Sequence, residues 1–160
     1  MTQYRIPKAE DLPEIIRLAK EMHSETSFST LTFDEDKARG EILFCLQNPQ
    51  NFVCAAEKDG RLVGIIAVYL SSPFFSNDRV VYDHLWYVSK EARGTIVGSR
   101  LLEFASGWAE YQDAKAIFLT LGSDIGSDRV GKLAELHGYR QLGGYYRKDF
   151  ANVESRTASR

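Results

Sequence analysis

The residues best suited to chemistry lie between His84 and Leu102. The run begins His84, Leu85, Trp86, Tyr87, Val88, apolar and aromatic, and reads as the end of a strand. A short polar turn follows, then a loop carrying Arg93, Gly94, Thr95, Ile96, Val97, Gly98 and Ser99. An amphipathic helix comes next, with Leu101, Leu102, Ala105, Trp108 and Ala109 on one side. A strand feeding a glycine-containing loop that opens a helix aims backbone N–H groups and the positive end of the helix dipole at one point. Such a loop suits a phosphate, first of all the pyrophosphate of a nucleotide-like cofactor. No Gly-Lys-Ser/Thr follows the loop, which excludes a P-loop. It also lacks a glycine trio and comes late in the chain, which excludes a dinucleotide-binding unit.

The elements that must position this loop follow from pattern. Tyr4 to Ile6 is a short strand, and Leu12, Ile15, Ile16, Ala19 and Met22 recur at helical spacing with Pro13 in the first turn. A Ser/Thr-rich linker, Ser24 to Leu31, leads to Thr32-Phe33-Asp34-Glu35, a capping box for a second helix ending near Asn48-Pro49. Phe52 to Glu57 is a strand, Asp59-Gly60 a hairpin turn, and Leu62 to Leu70 a nearly continuous apolar strand, as burial on both faces requires. The loop Ser71 to Asp78 precedes the strand Val80 to Val88. After the helix come a strand from Ala116 to Leu121, a loop from Gly122 to Gly126 and a helix from Ser127 or Asp128 to His137, closed by Gly138. Tyr139 to Leu142 and Tyr145 to Phe150, joined at Gly143-Gly144, predict a terminal hairpin.

Composition narrows the function. A length of 160 residues, 44% of them hydrophobic, fits one soluble domain. A formal charge of −2 with scattered Lys and Arg gives no electrostatic case for nucleic acid. No apolar run approaches the roughly 18 residues that span a bilayer. The start, Met1 to Arg5, lacks the apolar stretch of a signal peptide, so a cytoplasmic protein without a membrane partner is expected. Cys45 and Cys54 read as buried thiols in a reducing compartment, and the histidines and cysteines form no cluster of metal-site spacing.

The element order β-α-α-β-β-β-α-β-α-β-β resembles the GCN5-related N-acetyltransferases over residues 3–150. In the phosphate loop, Arg93 fills the first place of that family's Gln/Arg-x-x-Gly-x-Gly/Ala motif and Gly98 the last, while Ile96 stands where the middle glycine is usual. Ile96, flanked by β-branched Thr95 and Val97, does not take positive φ cheaply, so the loop must use ordinary φ values or lie differently. Such abbreviated loops resemble those of phage-encoded members, for which the location would be the host cytoplasm. Gly138-Tyr139 resembles the Gly-Phe after the family's last helix. The resemblance implies an α/β (α+β) fold: a mixed, mostly antiparallel sheet of about seven strands flanked by four helices. It implies one acetyltransferase domain over 1–150, with 151–160 a flexible tail. Acetyl-CoA would be co-substrate without a metal, and the acceptor would be a small-molecule or protein amine. A homodimer through the terminal hairpin or a strand edge is a family expectation.

The implied reaction is direct attack of a primary amine on the thioester, without an acyl-enzyme. The amine must lose a proton, since an alkylammonium has a pKa near about 10. His84 corresponds to a histidine that removes this proton in arylalkylamine acetyltransferases; the other reading is a residue lining the sheet. Asp83 is the second candidate, on the opposite face unless a bulge reverses it. The Val88 N–H corresponds to the donor for the thioester oxygen, within Trp86 to Val88. The family's acid, a tyrosine, is Ala134 here, so Tyr145, Tyr146 or water substitutes, or the thiolate leaves unaided. Ser127 stands where an asparagine often contacts the cofactor, and a plain helix N-cap is its other reading. Arg93 and Arg100 could add charge-assisted phosphate contacts, or Arg100 could simply be an exposed helix residue. The acceptor would enter between the Ser24–Leu31 linker and the Ser71–Asp78 loop, walled by Phe28, Phe74 and Phe75. Nearby Glu21, Glu25, Asp34, Glu35 and Asp36 would attract a cationic amine, or form a solvated helix surface. Ile96 and Ala134 favour an alternative, a non-catalytic CoA-sensing or protein-binding module on the same scaffold.

Overall fold

The computed structural model describes residues 1–120 and 126–150. Its sheet has the order β1 (Thr2–Arg5), β2 (Asn51–Lys58), β3 (Arg61–Ser71), β4 (Val80–Val88), β5 (Ala116–Phe118). The first four strands are antiparallel neighbours, and β5 runs parallel to β4. The helices are α1 (Leu12–Glu25), α2 (Glu35–Gln47), α3 (Val97–Tyr111) and α4 (Ser127–Leu136). Two cores form, one on each face of the sheet. Val63, Ile66 and Val68 of β3 pack with Val97, Leu101, Leu102 and Ala105 of α3, while Leu62, Ile65 and Ala67 pack with Ile15 and Leu18 of α1. Both faces of β3 are therefore covered, as its unbroken apolar run requires. The β2–β3 turn has positive φ at Asp59 (52°) and Gly60 (76°), the geometry a two-residue hairpin demands.

Several elements differ from the sequence reading. α2 is capped by Asp34, whose carboxylate accepts the Lys37 N–H at 3.0 Å, and not by Thr32. Glu35 is then free to pair with Lys20 and Arg39 instead of closing a capping box. The linker after α1 contains a 3₁₀ turn, Ser27–Thr30. The N-cap of α4 is Gly126, at φ 68°, so Ser127 is its first helical residue. Cys54 is buried and Cys45 only half-buried. Leu121, the predicted loop up to Ile125 and the tail 151–160 lie outside the described residues.

The sheet has five strands among the described residues because the terminal hairpin does not form. An isolated hairpin is marginal and needs a neighbouring strand, and β5 offers only Ala116–Phe118. Residues 140–150 are exposed instead. Arg147 draws this segment toward the α1–α2 linker by donating to the Ser27 carbonyl and the Thr30 hydroxyl, each at 2.5 Å.

The arrangement of β4 matters most. It pairs with β3 along its whole length but with β5 only through Val80–Ala116, Val81–Ile117 and Tyr82–Phe118. Beyond Tyr82 no strand among the described residues pairs with its second edge. Toward β3, Val68 pairs with Asp83 and Ala67 with Leu85, which leaves His84 as an extra residue in a bulge.

Candidate active site

The open edge of β4 and the start of α3 meet at one corner. The Ser89 N–H donates to the Val63 carbonyl of β3 at 2.9 Å. Strand alternation therefore turns the N–H and C=O of Val88 the other way, toward the edge that no described strand pairs with. A 3₁₀ turn, Lys90–Ala92, carries the chain to Arg93. Gly94 takes the left-handed conformation (φ 76°), and Ile96 the ordinary αR one (φ −72°, ψ −5°). The loop thus needs its glycine two places earlier than the family motif has it, and the β-branched residues are unstrained.

Ile96 precedes α3 and supplies no side-chain cap, and its apolar side chain is exposed. The first-turn N–H groups of a helix have no acceptor within it. Val97 N–H reaches only the Thr95 hydroxyl, at 3.4 Å, and those of Gly98 and Ser99 belong to the same turn. Gly98 is closely packed: a Cβ there would lie 3.2 Å from a Leu133 methyl, which would have to give slightly, and in ordinary contact, 3.7 Å, with the Trp86 and Val88 side chains. Beneath the loop, Ser89 Oγ and Trp86 Nε1 are buried without hydrogen-bond partners among the described residues. A helix end without a side-chain cap, beside a strand edge that is unpaired among the described residues, fits an anionic cofactor carrying amides.

The proton-handling candidates separate onto two faces. Asp83 pairs with Val68 and shares the α3 face, where its Oδ1 accepts the Thr120 N–H and hydroxyl, both at 2.8 Å. Burial pushes its carboxyl above the usual range, against the pull of the two Thr120 bonds. The bulge puts His84 with Leu85 on the α1–α2 face. One side of its imidazole is covered by Tyr69, with ring centroids 4.3 Å apart, while its edge stays exposed. Loss of water pushes its pKa below the ordinary histidine value, and Asp83 and Glu41 pull it back only in part. His84 is thus a neutral, accessible base near pH 7.

A family model described as acetyltransferase (GNAT) family matches residues 12–139. The chain belongs to the GNAT family. It is an acyl-CoA-dependent N-acetyltransferase, and the family's co-substrate is acetyl-CoA. Solved GNAT structures share its fold. A ribosomal-protein-alanine N-acetyltransferase from Brucella melitensis biovar Abortus 2308 superposes with TM-score 0.69 at 19% identity, covering 94% of this chain and 100% of that one. A predicted acetyltransferase from Clostridium acetobutylicum, solved with acetyl-CoA, gives 0.73 at 15% identity, covering 93% and 96%. An aminoglycoside acetyltransferase from an uncultured soil metagenomic sample, in complex with sisomicin, gives 0.67 at 16% identity, covering 93% and 97%. No curated protein matches the chain significantly.

The remaining candidates of this GNAT chain fall out unevenly. The Arg93 guanidinium is turned inward, donating from Nε to the Val88 carbonyl at 2.9 Å and pairing with Glu25. Tyr87 is buried on the α1 side, and its hydroxyl donates to Glu25 at 3.0 Å. Ser99 Oγ is hydrogen-bonded to His137 Nε2. Arg100 is exposed and pairs with Glu103. The Ser127 side chain lies outside the described residues. Tyr145 and Tyr146 are exposed, at 69% and 94%, on the segment after α4, and Ala134 is buried. Phe74 and Phe75 pack edge to face at 5.2 Å and stand in solvent, so they do not wall an enclosed pocket. A groove of about 560 Å³ instead lies along α1 and α2, lined by Ile16, Arg17, Lys20, Glu21 and Arg39 among others. The acidic residues near the expected entrance are partnered: Glu21 with Arg17, Glu35 with Lys20 and Arg39, Glu25 with Arg93 and Lys90. Sequence reasoning placed Glu25 only in that entrance group; its partners lie more than sixty residues away, and no local pattern signals them.

Among the described residues no group of His, Cys, Asp and Glu converges as a metal site needs, and no helix is long and apolar enough to cross a membrane.

Proposed function

We propose that residues 1–150 form one cytoplasmic acetyltransferase unit that moves the acetyl group of acetyl-CoA to a primary amine. The end of β4, unpaired on its second edge among the described residues and beside a start of α3 that has no side-chain cap, is the observation that carries this reading. Main-chain N–H groups of Gly94 to Ser99 receive the diphosphate, aided by the α3 dipole. The Val88 N–H, on the open edge, donates to the thioester oxygen as negative charge gathers there. His84, neutral near pH 7 and accessible on the acceptor side, takes the proton from the attacking amine directly or through water. No tyrosine occupies the acid position, and the CoA thiolate leaves unaided, consistent with a thiol pKa of about 8.5.

The buried Ala134, with the exposed Tyr145 and Tyr146, also suits a CoA-binding module without turnover. Thermal shift with CoA and acetyl-CoA, followed by thiol release across a panel of amines, distinguishes the two. The transferase reading expects a rise in Tm with both ligands and amine-dependent thiol release. Ligand-independent Tm overturns both readings, and binding without release for every amine leaves the module.

A further inference from the structure

Glu25 is the last residue of α1, and its carboxylate is 12% exposed. Oε1 accepts from the Tyr87 hydroxyl at 3.0 Å and has Lys90 Nζ at 3.6 Å, while Oε2 pairs with Arg93 Nη2. Arg93 passes the contact on: its Nε donates to the Val88 carbonyl at 2.9 Å, and its guanidinium lies 5.5 Å above the centre of the Tyr87 ring. One carboxylate thus grips the end of β4 and both flanks of the turn that enters the phosphate loop. Burial works against its charge, yet Arg93, Tyr87 and Lys90 outweigh burial and hold the carboxyl below the usual range. The next residue, Thr26, opens the acceptor-side linker and caps its 3₁₀ turn by accepting the Phe28 N–H at 3.4 Å.

We propose that Glu25 is a positioning residue that joins the acceptor-side linker to the cofactor loop, fixing Arg93 against the Val88 carbonyl so that the loop is preset for the diphosphate of acetyl-CoA. This rests on the acetyl-CoA reading above. A preset loop spares the ligand the entropy of ordering it. Loss of the clamp therefore appears in cofactor affinity rather than in the chemical step, and it passes through Arg93.

The test uses CoA calorimetry and steady-state kinetics on the full chain with Glu25→Gln, Arg93→Gln, the double variant and Tyr87→Phe. Glu25→Gln should weaken CoA binding and raise the acetyl-CoA KM about tenfold, the worth of a charged hydrogen bond, with kcat changed less than about twofold. In the Arg93→Gln background the same change should cost less than about twofold, because the two residues act as one unit. Tyr87→Phe keeps the ring, removes one donor and should weaken CoA about threefold, which keeps the clamp testable if Glu25→Gln does not fold. Wild-type affinity in Glu25→Gln, or in Tyr87→Phe where that is the folded variant, overturns the role, as do losses that multiply in the double variant. A wild-type chain that gives no CoA heat removes the acetyl-CoA reading and this role together; wild-type binding with unaffected variants removes this role alone.

Discussion

The two edges of β4 differ sharply. Toward β3 the strand is zipped from Val80 to Val88, with core on both faces. Toward β5 it pairs at Val80, Val81 and Tyr82 and, among the described residues, no further. One strand thus serves stability along one edge and presents backbone groups along the other. A continuous second ladder would consume the N–H of Val88, which faces that edge. An unpaired edge of this kind is normally a hazard; here it lies beside a helix terminus that favours anions.

That division can be broken from either side. The largest effect is expected on the zipped side. Leu101 is fully buried against β3, and Leu101→Ala should lower unfolding free energy by about 3 kcal/mol in urea titration, with kcat per folded molecule preserved. An equal loss of kcat would show that the two edges are not separable. At the bulge that interrupts the zipped side, His84→Gln should lower kcat about a hundredfold, worth roughly 2.7 kcal/mol, and move stability by less than about 0.5 kcal/mol, since His84 lies outside the β3–β4 register. Undiminished turnover across neutral pH would remove it from the mechanism. Next comes Gly94→Ala, which should cost about 1 kcal/mol in the same titration because φ is 76° although no atom obstructs a Cβ.

The smallest effects concern charge. His84 has a lowered pKa when folded, so the unfolded chain binds its proton more tightly. The stability tied to it is complete above about pH 6.5 and falls as the pH drops below that. Tm measured between about pH 8 and about pH 5 should show this decline, and His84→Gln should reduce it. Asp83 has the opposite sign: a raised pKa means its ionised form weakens folding near neutrality. Asp83→Asn, which keeps an acceptor for Thr120, should leave Tm unchanged or slightly higher near pH 7.

Local patterns made much of this legible. The apolar run of β3, the Asp59-Gly60 turn, the periodicity of α1 and the strand-loop-helix around Arg93 each follow from nearby residues. Features set by distant partners were not legible. The bulge at His84 exists only in the pairing of β4 with Ala67 and Val68. The α2 cap is Asp34, and Glu35 pairs with Lys20, on another helix. The terminal hairpin failed because β5 is too short to template it. Ile96 is no obstacle to the loop, because the left-handed turn falls at Gly94.

The bulge has one further consequence. A residue left out of the ladder carries no share of its register, so position 84 can exchange one side-chain chemistry for another chiefly at the cost of its ring contact with Tyr69. Imidazole or carboxylate could each serve there as the base on the same backbone frame. The same protein scaffold could thereby be retuned to amines of different basicity through a single codon.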